Sequence, residues 1–209
     1  MKGIIFDCDG VIVDSEVIYL ESLKRFLSNQ DIQVEIKDIQ YVVGMKMPEI
    51  CKALKNQFDL EQFTNEELAE KQNVYFDEYW ENCHITPMKG IKEFLDRCKS
   101  KNLIISLASS SGKDYIHDLL ERFDLKNYFD YIVTGEVVQK GKPDPDIFLY
   151  TLDKMKLNKD DVIIVEDSVN GIRAGVASGI YTVGFKGSKI EQDTSEADVQ
   201  VYSFDEILI

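Results

Sequence analysis

Six short β-rich runs recur along this chain: GIIF (3–6), LIISLA (103–108), YIVTG (131–135), DVIIVED (161–167), IYTVGF (180–185) and DVQVY (198–202). Their apolar residues are continuous rather than alternating, which is the pattern of strands buried on both faces. Between most of them the period changes to that of amphipathic helices. Ile91, Phe94, Leu95 and Cys98 form one stripe, and Ile116, Leu119, Leu120 and Phe123 form another. The segment 145–155 opens on Pro145, suited to a first helical turn, and 168–179 closes on Gly179, a natural C-cap. Strands that alternate with helices in this way pair in parallel. The expected fold class is therefore α/β, a doubly wound parallel sheet.

One interval breaks the alternation. Residues 15–83 carry only helical patterning: Ile18, Leu20, Leu23, Phe26 and Leu27 on one stretch, Pro48 near the start of a second, and a Thr64/Glu67 capping box opening a third. A connection of roughly 65–70 residues is far beyond the usual dozen or fewer. The expectation is an α/β core formed by 1–14 and 84–209, with an inserted helical domain at 15–83. The segment HITPMKG (84–90) is the expected return linker. Hydrophobic residues make up 44% of the 209, enough for a core of this kind.

The first run ends in DCDGVIVD (7–14), where carboxylates collect at the exit of a buried strand. Ligands of doubly wound sheets bind outside the carboxyl ends of the strands. Asp7 and Asp9, two apart on an extended backbone, face one side; Cys8 faces the other, into the core. Gly10 permits the turn that follows. Two neighbouring carboxylates repel unless one is protonated or a cation stands between them. Such a pair can supply a nucleophile, a proton shuttle and ligands for a hard divalent cation. Taken alone, D-x-D-G also fits a solvated acidic loop. Asp14 is expected to cap the following helix or to close the linker geometry.

The other strand ends tip the balance. Glu166 and Asp167 end the fourth run, Ser109, Ser110 and Ser111 end the second, and Lys142 lies in the loop after the third. Acids, hydroxyls with backbone N–H groups, and a lysine at one sheet edge suit the holding of phosphate beside Mg²⁺.

These segments resemble, in order, the four motifs of the haloacid dehalogenase superfamily of phosphatases and phosphomutases: FDCDGVIVDSE, LASSS, GKPDPDIF and IIVEDSVNGIRAG. The likeness is to the β-phosphoglucomutase-like branch with a helical cap after the first strand. It covers essentially the whole chain, and four motifs in order are highly specific. The resemblance implies that Asp7 is the nucleophile and forms an aspartyl-phosphate. It implies that Asp9 is the general acid and base, with its backbone carbonyl a Mg²⁺ ligand. Ser109 would bind the transferred phosphoryl group and Lys142 would neutralise charge between that group and Asp7. Asp167 would ligate Mg²⁺ with Glu166 in support, so the metal set is Asp7, Asp9, Glu166 and Asp167. Substrate contacts are expected from Ser110 and from the loop VVGMKMPE (42–49), which matches the specificity loop in position. There Gly44 would permit the turn and Lys46 would meet the substrate, simple solvation of Lys46 being the alternative.

The implied function is Mg²⁺-dependent hydrolysis of a small phosphorylated metabolite, a sugar phosphate or related phosphomonoester. Asp9 favours phosphoryl transfer over carbon–halogen cleavage, since the dehalogenases of the superfamily lack an acid two positions after the nucleophile. The first alternative is a phosphomutase. Its cap-helix histidine is matched by Tyr19, and the histidines here, His84 and His117, lie outside that helix. No lysine can be assigned to Schiff-base phosphonate cleavage. The second alternative, a receiver-type phosphoacceptor domain, is about half this length and has no inserted helices. No Cys has Arg six residues on; 135–143 and 110–113 graze the P-loop and S-x-x-K patterns without completing them.

A net charge of −14 without a Lys/Arg cluster argues against a nucleic-acid partner. No apolar run approaches the roughly 18–20 residues of a membrane span. Cys8, Cys51, Cys83 and Cys98 form no CxxC pair and suit free thiols in a reducing compartment, so a cytoplasmic location is expected, and a single compact core and cap are consistent with a monomer.

Overall fold

The computed structural model describes residues 1–83 and 85–209; His84 lies outside them. The six strands are β1 (Gly3–Phe6), β2 (Ile104–Ser109), β3 (Tyr131–Thr134), β4 (Val162–Glu166), β5 (Tyr181–Phe185) and β6 (Val199–Val201). All pairings are parallel, in the order β3-β2-β1-β4-β5-β6. The helices are α1 (Glu16–Ser28), α2 (Ile36–Ile39), α3 (Met47–Phe58), α4 (Asn65–Asn82), α5 (Ile91–Ser100), α6 (Lys113–Arg122), α7 (Asp146–Met155) and α8 (Val169–Ser178).

The continuous apolar strands are explained by layers on both faces. Ile4 and Phe6 pack with Phe94, Leu95, Ile116 and Leu120 of α5 and α6 on one side. Ile5, Ala108 and Ile164 pack with Phe148 and Ala174 of α7 and α8 on the other. The chain steps from β1 through β2 to β3 on one side, then returns to β4 beside β1 and continues outward. The direction of winding thus reverses between β1 and β4, and the crevice that such a switch leaves opens at their carboxyl ends.

Helices α1–α4 lie between β1 and the return at 85–90 and bury a hydrophobic cluster of their own, including Leu23, Phe26, Leu54 and Leu68. The Thr64/Glu67 capping box is formed, with Thr64 Oγ1 accepting from Glu67 N at 3.1 Å and Glu67 Oε2 from Thr64 N at 2.8 Å. Gly179 ends α8 at φ 72°. Pro145 stands immediately before α7 rather than inside its first turn. The four-residue α2 shows no period in the sequence, being barely one turn long. Among the described residues no helix is long and apolar enough to cross a membrane. All four cysteines are free.

Candidate active site

The switch between β1 and β4 places Asp7 and Asp9 at the mouth of the crevice. Asp7 N still donates to Val165 O at 2.9 Å, and the chain then leaves the sheet. Ile12 N closes a tight loop onto Cys8 O at 2.7 Å, and Gly10 N reaches Val13 O at 2.7 Å. Cys8 is fully buried in the core, as its alternation with the two aspartates requires. Gly10 has φ +83°, and a Cβ there would sit 1.9 Å from Asp167 Oδ2. Gly10→Ala is therefore expected to destabilise by more than about 3 kcal/mol and to displace Asp167. Thermal melts and phosphate-release assays check this; a variant with wild-type stability and rate would refute the tight-approach account.

Beneath this loop lies a buried ionic cluster. Lys142 is 1% exposed. Its ammonium donates to Asp7 Oδ1 at 2.5 Å, Glu166 Oε1 at 2.7 Å and Ala108 O at 3.3 Å, and it sits 4.9 Å from the centre of the Phe148 ring. The second Glu166 oxygen accepts from Ser168 N at 2.7 Å and Ser168 Oγ at 3.0 Å. Asp167 differs: both of its carboxylate oxygens are buried without a hydrogen-bond partner. One oxygen from each of Asp7, Glu166 and Asp167 lies within 4.8 Å of the others. Burial pushes the Asp7 carboxyl up to about 8 against the opposing pull of Lys142. Burial, with Glu166 and Asp7 nearby, holds Asp167 well above the carboxylate range. Glu16, the first residue of α1, is raised by burial and by Asp9 and Asp7. An ionised carboxylate with no partner is strongly disfavoured in such a place. The donor set is all oxygen and crowded with negative charge, and Asp167 has unused ligand atoms, so these residues fit a hard divalent cation.

Asp9 is held apart from Asp7. Its carboxylate accepts from Ser15 Oγ, from Ser111 Oγ at 2.8 Å and from Tyr115 OH at 2.8 Å. Ser109 is buried at the end of β2, and its hydroxyl accepts from Ser111 N at 3.1 Å. Ser110 lines the cavity over the site, and its hydroxyl donates to Gly44 O at 2.8 Å. Gly44, at φ +79°, turns the loop against Ser168. Lys46 goes elsewhere: its ammonium donates to Val138 O at 2.8 Å, and the cavity wall runs through Gly44, Met45 and Met47 instead. Neighbouring residues fasten the same loop to the core. Glu49 Oε1 accepts from Gly141 N at 3.0 Å, and Asn170 Nδ2 donates to Val43 O at 2.8 Å.

Asp14 does not cap α1, whose N-cap is Ser15. The Ser15 hydroxyl turns to Asp9, and the Asp14 carboxylate closes the linker onto Ser188 Oγ at 3.2 Å and Lys189 Nζ at 3.5 Å. Tyr19 lines the cavity and donates to Gln72 Oε1 at 3.1 Å. Sequence reasoning grouped Ser111 with the phosphate-holding serines, not with Asp9, and did not single out Ser15, Glu16, Tyr115, Glu49 or Asn170. Of the missed residues only Ser15 and Glu16 carry a local signal, standing at the end of the first acidic motif.

The chain matches the haloacid dehalogenase-like hydrolase family over residues 4–185. It is 33% identical over 189 residues to the phosphorylated carbohydrates phosphatase of Thermotoga maritima, covering 88% of this chain and 84% of that protein. It is 31% identical over 192 residues to the β-phosphoglucomutase of Bacillus subtilis, covering 88% and 83%. A solved β-phosphoglucomutase structure from Clostridium difficile superposes with a TM-score of 0.86 at 25% identity, covering 100% of this chain and 94% of that one. The family match runs from β1 to the end of β5 and leaves no part of the site outside it, so this chain belongs to the haloacid dehalogenase-like hydrolases.

Proposed function

We propose that the protein is a Mg²⁺-dependent phosphatase that hydrolyses a small phosphorylated metabolite, such as a sugar phosphate, through an aspartyl-phosphate on Asp7. The reading is carried by the buried Lys142–Asp7 contact of 2.5 Å beside the unpartnered Asp167 carboxylate. An Asp7 oxygen attacks phosphorus and the bond to the alcohol oxygen breaks, with Asp9 giving that oxygen its proton. Asp9 then takes a proton from water, which attacks phosphorus and releases Asp7. Lys142 offsets charge on Asp7, and Ser109 with the N–H groups leading into α6 faces the transferred group. Asp7, Asp167 and the Asp9 carbonyl would hold Mg²⁺, with Glu166 in support; when bound, the ion neutralises charge on the phosphoryl oxygens and the carboxylates.

Residues 15–83 act in this reading as a cap domain that excludes water. Its two linkers meet beside the site, since Val13 bridges both Asp9 and Pro87. One chain supplies every group, which supports a monomer, and four free thiols support a reducing, cytoplasmic location. The 31% identity to a β-phosphoglucomutase supports the mutase alternative. Against it, Tyr19 offers a hydroxyl already given to Gln72 where that enzyme class uses an imidazole.

Phosphate release should fall to background in EDTA and return with Mg²⁺; activity indifferent to EDTA would overturn the metal assignment. Stability gives a second readout. Burial raises Asp7 in the folded chain above its unfolded value of 3.8, towards about 8. Metal-free stability is then complete below the unfolded value and is lost as pH rises towards 8. Mg²⁺ should restore melting temperature most at the alkaline end.

A further inference from the structure

A cavity of about 620 Å³ stands over Asp7 and Asp9, much larger than a phosphoryl group requires, so its upper part receives the alcohol portion of the substrate. One wall is aromatic. Phe76 and Trp80 of α4 stack at 5.7 Å and 23°, and Tyr115 of α6 meets them edge-on at 5.7 and 5.1 Å. Val42 and Met45 of the loop before α3, and Met47 at its start, also line it. The lining also includes the exposed carboxylates Asp77, Asp114 and Asp118 and the buried Glu16. Among the described lining residues there is no Lys, Arg or His. Outside the lining, Lys46 gives its ammonium to Val138 O at 2.8 Å, and the Arg122 guanidinium lies 5.3 Å from the centre of the Trp80 ring. Lys142 lies below the floor, against Asp7 and Glu166.

We propose that this site is built for phosphomonoesters with one anionic group only, whose alcohol portion is uncharged and presents a flat apolar face, and that it rejects bisphosphates and phosphorylated carboxylic acids. A second phosphate or a carboxylate in the upper cavity would lose its water without gaining a cation from the lining, and it would meet the carboxylates Asp77, Asp114 and Asp118. A sugar ring or a base carries no ionic charge to desolvate, so it loses far less by the same transfer, and its apolar face gains contact with the aromatic wall. The proposal rests on the phosphatase reading above and narrows it.

The test is kcat/KM of the full chain with Mg²⁺ on a hexose 6-phosphate and a nucleoside 5′-monophosphate, against fructose 1,6-bisphosphate and phosphoglycolate. The better singly anionic ester should exceed both others by about 100-fold; a ratio under tenfold overturns the proposal. Asp77→Lys should narrow the ratio for the bisphosphate at least tenfold, and an unchanged ratio would remove the electrostatic cause. Calorimetric binding to Asp7→Asn with Mg²⁺ reads the same selectivity without turnover. Absence of hydrolysis on every ester then counts against the phosphatase reading. Equal binding of mono- and bisphosphate counts against this one.

Discussion

Asp7→Asn is expected to lower phosphate release by at least about 10⁴-fold, the scale on which removing a nucleophile acts, while the fold stays intact. The amide keeps the shape of the carboxyl and an oxygen to accept from Lys142, but it has no charge with which to attack phosphorus. The buried ammonium is not orphaned, because Glu166 at 2.7 Å and Ala108 O at 3.3 Å remain. Burial works against the Asp7 carboxylate in the folded chain, pushing it up to about 8. Replacing it with a neutral group therefore leaves the melting temperature equal or higher, provided no metal is present. Phosphate release and thermal melts in EDTA separate the two effects. A variant that turns over at more than a hundredth of the wild-type rate would remove Asp7 from the nucleophile's place. Lost activity accompanied by lost stability would mark it as structural instead.

The pairing behind that prediction is local, while the nucleophile's role for Asp7 comes from the resemblance of the four motifs in order. The i, i+2 spacing at the end of a buried strand already separates Asp7 and Asp9 from Cys8, and parallel topology sends the ends of β1, β2 and β4 to one edge. Lys142, Glu166 and Asp167 meet Asp7 for the same reason. Contacts made across the chain had no such guide. Tyr115 stands outside the apolar stripe named for α6, and its hydroxyl donates to Asp9 only because the helix packs beside the strand. Lys46 reads as a substrate contact by its place in a loop, but the loop is fastened through Asn170 and Glu49. That fastening turns the ammonium onto a backbone carbonyl. Asp14 has the residue type and position of an N-cap, and lost that role to Ser15. Spacing specifies which face a residue lies on; a long side chain's final partner depends on which surfaces close over it.

Lys142→Met is expected to be the most destabilising single change at this site, by about 3–5 kcal/mol, because it leaves buried carboxylates without their cation. For a chain of this size that corresponds to a fall in melting temperature of roughly 10 °C. Packing does not account for the loss: Met is close in length, unbranched, and able to rest on the Phe148 ring that now lies 4.9 Å from the ammonium. The cause is electrostatic and so depends on pH. Asp7 is already raised by burial against the pull of Lys142; without that pull it rises further. A carboxyl raised in the folded state adds stability that is whole below its unfolded value and is lost as pH rises through the folded one. The deficit of the variant should therefore be larger at pH 8.5 than at pH 5, and Mg²⁺ should recover part of it by supplying the missing positive charge. Melts of wild type and variant at the two pH values, each with EDTA and with Mg²⁺, measure this directly. An equal deficit at both pH values would mean that Lys142 is held for its shape, and the charge-neutralising role proposed for it in phosphoryl transfer would lose its physical basis.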